Sequence, residues 1–148
     1  MVDKGVKDAS NMGAAMAPAA ADTIAAFLTE THTAPEHYDL ILTGDLGKVG
    51  SKLLYDLLEK EYNINIRKVH NDTGLMMYYP DKQDVHAGGS GCGCCGRILR
   101  SKILKELSEG KLHRVFVVAT GALLSAVSPF QGESIPGIAH GILLTDGR

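Results

Sequence analysis

The sequence predicts an α/β domain built on a mixed, mostly parallel sheet with its last strand antiparallel and helices on both faces. Three observations carry this expectation. Short apolar runs alternate with segments of helical periodicity, in the order helix, strand, helix, strand, helix, strand, strand. The first three strands are separated by helices, so they are expected to run parallel with right-handed crossovers. The last two, His113 to Ala119 and Gly137 to Thr145, are joined by a loop (Ser125 to Pro136) without a clear helix, which favours an antiparallel pair.

Each element has a local reason. Val2 to Met16 is apolar but irregular, and Gly5 and Gly13 weaken any helix there. Pro18 suits a first helical position, and Ala20, Ile24, Phe27 and Leu28 recur on one face up to Glu30. Tyr38 to Leu42 (Y-D-L-I-L) reads as a buried strand stopped by Thr43-Gly44-Asp45. Gly47 to Gly50 leads into a helix over Ser51 to Tyr62, with Leu53, Leu54, Leu57 and Leu58 as its stripe. Asn63-Ile64-Asn65-Ile66 alternates, and the second strand is placed from Ile64 to Val69. Asn71 to Gln83, containing Asp72-Thr73-Gly74 and Tyr79-Pro80-Asp81, reads as a surface excursion with a short strand at Leu75 to Tyr78. A third helix follows Gly96 and ends at Gly110.

The 148 residues fit one domain, and 45% hydrophobic against 22% charged residues indicates a packed core rather than disorder. A formal charge of -2 supplies no field to draw the chain to nucleic acid, and the tyrosines are not interleaved with bases for stacking. Met1-Val2-Asp3-Lys4 lacks a signal-peptide pattern, and no run reaches the about 20 apolar residues of a membrane span. The expected location is cytoplasmic, with any membrane association made through a partner.

The densest feature is Ala87 to Gly96, A-G-G-S-G-C-G-C-C-G, which holds all three cysteines and opens a helix. Bare backbone there can approach a ligand or a neighbouring helix closely. Thiolates at Cys92, Cys94 and Cys95 could hold zinc, but no second cysteine knuckle exists, so at least two buried, metal-free thiols are expected. Asp45, just after a strand in T-G-D-L-G, sits where open α/β sheets place ligand contacts, although a helix cap is the plainer role. His86 and His140 are the histidines best placed to face a pocket, with backbone-satisfied structural roles as the plainer alternative. No nucleophile elbow or phosphate-binding loop occurs. The literal G-x-G-x-x-G from Gly91 to Gly96 lacks its strand and acidic residue.

Several segments together carry a resemblance: M-G-A-A-M-A-P-A-A-A-D-T-I from Met12, Y-D-L-I-L-T-G-D-L-G from Tyr38, A-G-G-S-G-C-G-C from Ala87, R-V-F-V-V-A-T-G-A-L-L-S from Arg114 and I-P-G-I-A-H-G from Ile135. The chain resembles the stage V sporulation protein AD family. That resemblance implies a thiolase-like fold of two similar α/β halves, of which this is the C-terminal one, with Val2 to Val6 as the remnant of a truncated first strand. It further implies a dipicolinic acid-binding component of the machinery that takes this acid into the developing spore. Such a component would be cytoplasmic or in the forespore, peripheral at the spore inner membrane beside membrane-embedded proteins of the same operon.

Catalytic relatives of this fold place a histidine at the turn matching Thr43 to Gly47 and an asparagine near Gly89 to Gly91, and neither residue is present. The expectation is therefore a non-catalytic protein without metal or cofactor. The ligand is expected around Gly44, Asp45, His86, Gly89, Ser90, Gly91, Thr120 and Gly121. The alternative is a fragment of a thiolase- or ketoacyl-synthase-type acyltransferase using one of the three cysteines. As half of a fold, the chain is expected to expose apolar faces on its Ala-rich and Cys-rich helices, to be covered by the missing N-terminal half or by a second copy.

Overall fold

The computed structural model describes residues 1–79, 81–125, 127 and 131–147. Pro80 of the Tyr79-Pro80-Asp81 turn, and residues 126 and 128–130 of the Ser125 to Pro136 loop, lie outside the described residues.

Four strands form one sheet in the order β2-β1-β3-β4, with β1 at Leu40–Thr43, β2 at His70–Asp72, β3 at Arg114–Ala122 and β4 at Gly137–Thr145. β1 runs parallel to both of its neighbours, whereas β4 pairs antiparallel with β3 from Arg114↔Thr145 to Ala122↔Gly137. The mixed sheet with an antiparallel last strand is the one the sequence predicts. Helices α1 (Met12–Glu30) and α2 (Gly47–Tyr62) cover one face, where Ile24, Leu28, Leu54 and Leu58 join Ile41, Phe116 and Val118 in one core. Phe27 stacks on Phe116 with ring centres 3.7 Å apart. On the other face α4 (Cys94–Ile98), a π turn (Leu99–Ile103) and α5 (Leu104–Ser108) follow one another, bringing Ile98, Ile103 and Leu107 onto Leu42, Val115 and Val117. A short helix, α3 (Thr73–Met76), follows β2 directly.

Three elements depart from the sequence reading. α1 begins at Met12 rather than Pro18, because Asn11 accepts a bond from the Ala14 N–H (3.2 Å) and caps it. Pro18 lies inside the helix as its seventh residue, where its missing N–H removes the bond to the Ala14 carbonyl. The second strand is His70–Asp72, not Ile64 to Val69. Asn63 ends α2 in the left-handed region (φ 55°, ψ 38°), and the Val69 N–H closes a turn onto the Ile66 carbonyl (3.0 Å). Ile66 still enters the core, from a turn, so its alternation with Ile64 reports burial without a strand. The segment Leu75 to Tyr78 is not a strand either. Its first residues belong to α3, which the Asp72 side chain caps through the Gly74 N–H.

The glycines that argued against an early helix have another use. A methyl on Gly13 would lie 2.9 Å from the Gly50 nitrogen, and one on Gly50 would lie 3.0 Å from the Gly13 Cα. α1 and α2 therefore cross backbone to backbone. This burial also overturns the expected exposure of the Ala-rich helix. α1 is long and apolar enough to cross a membrane by length and composition, yet nine of its residues, from Ala15 to Leu28, are buried in the protein. Exposed apolar side chains lie instead on Ile142 and Leu143 of β4, on Leu123 and Leu124 after β3, and on Leu104 of α5. At the start of β4, Val2 and Gly137 exchange backbone bonds of 2.9 and 2.8 Å, and the Ile135 N–H bonds the Val6 carbonyl (2.7 Å). The Val2 to Val6 segment thus flanks the entry of the last strand.

Gly50→Ala tests the crossing. Helix propensity alone favours alanine by about 1 kcal/mol. Overpacking against Gly13 opposes it by about 1–3 kcal/mol. The expected outcome is a net loss, read as a lower urea midpoint with an unchanged m-value.

Candidate functional site

The site is built on one carboxylate that the sequence reading passed over. Asp72, at the end of β2, is fully buried. Its Oδ2 accepts the Thr43 hydroxyl (2.7 Å) and the Leu46 N–H (2.9 Å), and its Oδ1 accepts the Gly47 (2.9 Å) and Gly74 (3.0 Å) N–H groups. It thus joins the end of β1, the start of α2 and the start of α3. Leu46 and Gly47 carry the N–H groups that a helix start leaves unpaired, so Asp72 caps α2 from another strand. Burial pushes its carboxyl up from the ordinary value, against the pull of its four donors.

Asp45 does not cap α2. It takes a left-handed conformation (φ 58°), which aspartate tolerates better than most residues, and turns its side chain toward α3. The Thr73 hydroxyl donates to Asp45 Oδ1 (2.8 Å) and accepts from the Asp45 N–H (3.1 Å). The Cys94 thiol donates to the Thr73 carbonyl (3.8 Å) and feels the same Asp45 carboxylate. The Thr120 hydroxyl donates to the Gly44 carbonyl, closing the bottom of this turn from β3.

The glycine-rich turn docks onto this platform through backbone. The Gly89 N–H bonds the Gly74 carbonyl (2.8 Å), and the Lys48 N–H bonds the Ala87 carbonyl (2.7 Å). A methyl on Gly74 would overlap the Gly89 carbonyl oxygen, so this approach requires glycine.

Of the cysteines, only Cys94 is buried; Cys95 is half-buried and Cys92 exposed, one fewer buried thiol than the sequence reading expects. The turn spends its first cysteine on the surface, and the helical repeat directs only Cys94 into the core. Burial, then the Asp45 carboxylate, pushes the Cys94 thiol up to about 12, and burial also raises Cys95. Both are therefore protonated at neutral pH and poor nucleophiles. Among the described residues no group of three or more His, Cys, Asp or Glu is placed to hold a metal ion.

The expected ligand residues separate into groups. Asp45, Gly89 and Ser90 line one cleft of about 500 Å³ together with Asp8, Asn11 and Gly13. Gly89 and Ser90 also line a second cleft of about 410 Å³, with Met77, Tyr78 and Arg97. His86 lines a third, of about 300 Å³, beside Lys48 and Tyr78, but its own side chain is nine-tenths exposed and lies 3.6 Å from Asp84. Gly44 and Thr120 lie beneath the turn. Gly91 and Gly121 line none of these three clefts, and among the described residues a methyl on Gly121 would meet only Ile138.

Residues 1–145 match the family described as Stage V sporulation protein AD. The chain belongs to that family. A relative, Stage V sporulation protein AD of Bacillus subtilis (strain 168), is 53% identical over 141 residues, which cover 95% of this chain and 41% of the relative. The chain thus spans about two fifths of that relative's length.

Asp72 was missed because Asp72-Thr73-Gly74 reads as an ordinary turn. The signal was there: an aspartate two residues before a glycine, the spacing at which a carboxylate accepts a backbone N–H and starts a helix. The linked histidine was invisible, since nothing in the sequence pairs residue 70 with residues 43 and 55. Because Thr43 gives its proton to Asp72, His70 Nε2 donates to the Thr43 oxygen (3.0 Å), and in the neutral ring Nδ1 accepts from the Tyr55 hydroxyl (2.8 Å). Burial lowers this imidazole to about 4. The folded protein therefore refuses a proton that the unfolded chain accepts near its ordinary value of 6.5. Stability from this group is complete above that value and is lost as pH falls from about 6.5 to about 4, by up to about 3 kcal/mol. Asp72, raised by burial, acts in the opposite sense at the acid end. His70→Gln is therefore the reference: denaturation measured across this window should show a shallower pH slope in the variant than in the wild type.

Proposed function

We propose that the chain is the non-catalytic, dipicolinic acid-binding C-terminal half of a thiolase-like sporulation protein. Membership of the stage V sporulation protein AD family supports the sporulation role. The single observation that carries the binding role is the docked glycine-rich turn. Gly89 and Ser90 form the common wall of two open clefts, and their backbone is held against α3 by the Gly74 carbonyl. Dipicolinic acid is a planar pyridine with two carboxylates, and it needs hydrogen-bond donors or cations around a flat apolar slot. Ser90, the exposed glycine peptides and Tyr78 are of that chemistry. In this reading the protein works at the spore inner membrane through membrane-embedded partners, and the missing half or a second copy covers its exposed apolar side chains.

The acyltransferase alternative gains no support here. Acyl transfer needs an activated nucleophile, and burial pushes the Cys94 and Cys95 thiols up rather than down.

Titration calorimetry with dipicolinic acid on this chain should show saturable one-to-one binding, weaker than that of the longer Bacillus subtilis relative. Absence of binding to both would overturn the reading. Iodoacetamide at neutral pH should label exposed Cys92 in the native protein and reach Cys94 only after unfolding. Rapid native labelling of Cys94 would restore the enzyme reading.

A further inference from the structure

The two clefts that share Gly89 and Ser90 differ in charge, and the difference decides which of them suits an anion. The larger cleft carries two carboxylates, Asp8 and Asp45, and no lysine or arginine among its described lining residues. A dicarboxylate placed there would face like charge on two sides. The smaller cleft carries Arg97 and no carboxylate. Arg97 forms no ion pair and no ring contact among the described residues, unlike Arg67, which is held by Asp56, Glu59 and Tyr55, or Lys102, which is held by Glu106. It is three residues beyond Cys94 and therefore shares that residue's side of the helix, the side nearest the turn.

The opposite wall is flat. A methyl on Gly89 would lie 3.0 Å from the edge of the Tyr78 ring and 3.1 Å from the Met77 Cβ, so both side chains lie directly against the glycine peptide. Tyr78 has no hydrogen bond from its hydroxyl among the described residues and is 43% exposed. The cleft thus offers a phenol ring and a thioether, both suited to an aromatic face, with a guanidinium and the Ser90 hydroxyl at its margin. A guanidinium recognises a carboxylate through two parallel N–H bonds, which an ammonium cannot reproduce.

The geometry points to Arg97 as the carboxylate anchor of a subsite for planar aromatic carboxylates, with the ring against Tyr78 and Met77 and the acidic cleft beyond Ser90 left to another role. This rests on the proposed binding function and assigns its ligand to one side of the Gly89–Ser90 wall. It moves the ligand away from Asp45.

The test is titration of this chain with dipicolinic acid, pyridine-2-carboxylate and succinate, followed by amide and arginine side-chain NMR. Wild type should bind the two aromatic acids and not succinate, with shifts at Arg97, Ser90 and Tyr78. Arg97→Gln should lose at least tenfold in affinity, Arg97→Lys should recover only part, and Arg100→Gln, exposed in the adjoining π turn and outside the cleft, should bind as wild type does. Unchanged binding in Arg97→Gln, with shifts at Asp45 and Asn11 instead, would overturn the subsite and leave the binding function standing. Failure of dipicolinic acid with Arg97-dependent binding of pyridine-2-carboxylate would do the reverse. Binding of neither acid would overturn both.

Discussion

The structure around the turns depends on the Asp72 carboxylate. Four donors from three elements converge on its two oxygens, so the end of β1, the start of α2 and the start of α3 are fixed relative to one another by a single side chain. A buried carboxylate is costly unless its lone pairs are occupied, and here all four positions are used. The same group continues through Thr43 to His70 and Tyr55, so the polar network runs from the core to the side of α2. With those turns rigid, Asp45 can hold a left-handed conformation and still meet Thr73.

A second constraint is backbone proximity. Gly13 against Gly50 brings the two helices of one face together, and Gly74 against Gly89 brings the glycine-rich turn onto α3. Both contacts replace side-chain packing with main-chain contact, which leaves little room for adjustment. The turn is thereby held on α3, with Gly89 buried and Ser90 exposed, and both residues line a cleft on either side. A turn held in this way suits recognition of a rigid ligand, because little ordering is needed on binding.

The chemistry near that turn is muted. The Cys94 thiol is pushed up to about 12 by burial and by the Asp45 carboxylate, and the polar groups beneath the turn are occupied with one another. Open to solvent there are a serine hydroxyl, an unpaired guanidinium, an aromatic face and the Cys92 thiol.

The sequence by itself determined the class of the fold and most of its elements. Periodicity located α2, β1, β3 and β4, and the lack of a helix between the last two strands determined their antiparallel pairing, because such patterns follow from local geometry and burial. It also singled out Asp45, Gly89 and Ser90, which do line a common cleft. Tertiary structure alone decided the rest. Ile64 and Ile66 alternate like a strand, yet Ile66 is buried and Ile64 partly buried from a turn, since Asn63 reverses the chain just before them. Gly13 reads as a helix breaker, yet it sits where two helices touch. Asp72 reads as a turn residue, and its partners at Thr43, Leu46 and Gly47 lie more than twenty positions away in sequence. Whether a carboxylate faces solvent, caps its own helix or caps another depends on which elements pack beside it. That information lies in contacts between segments, which no local pattern encodes.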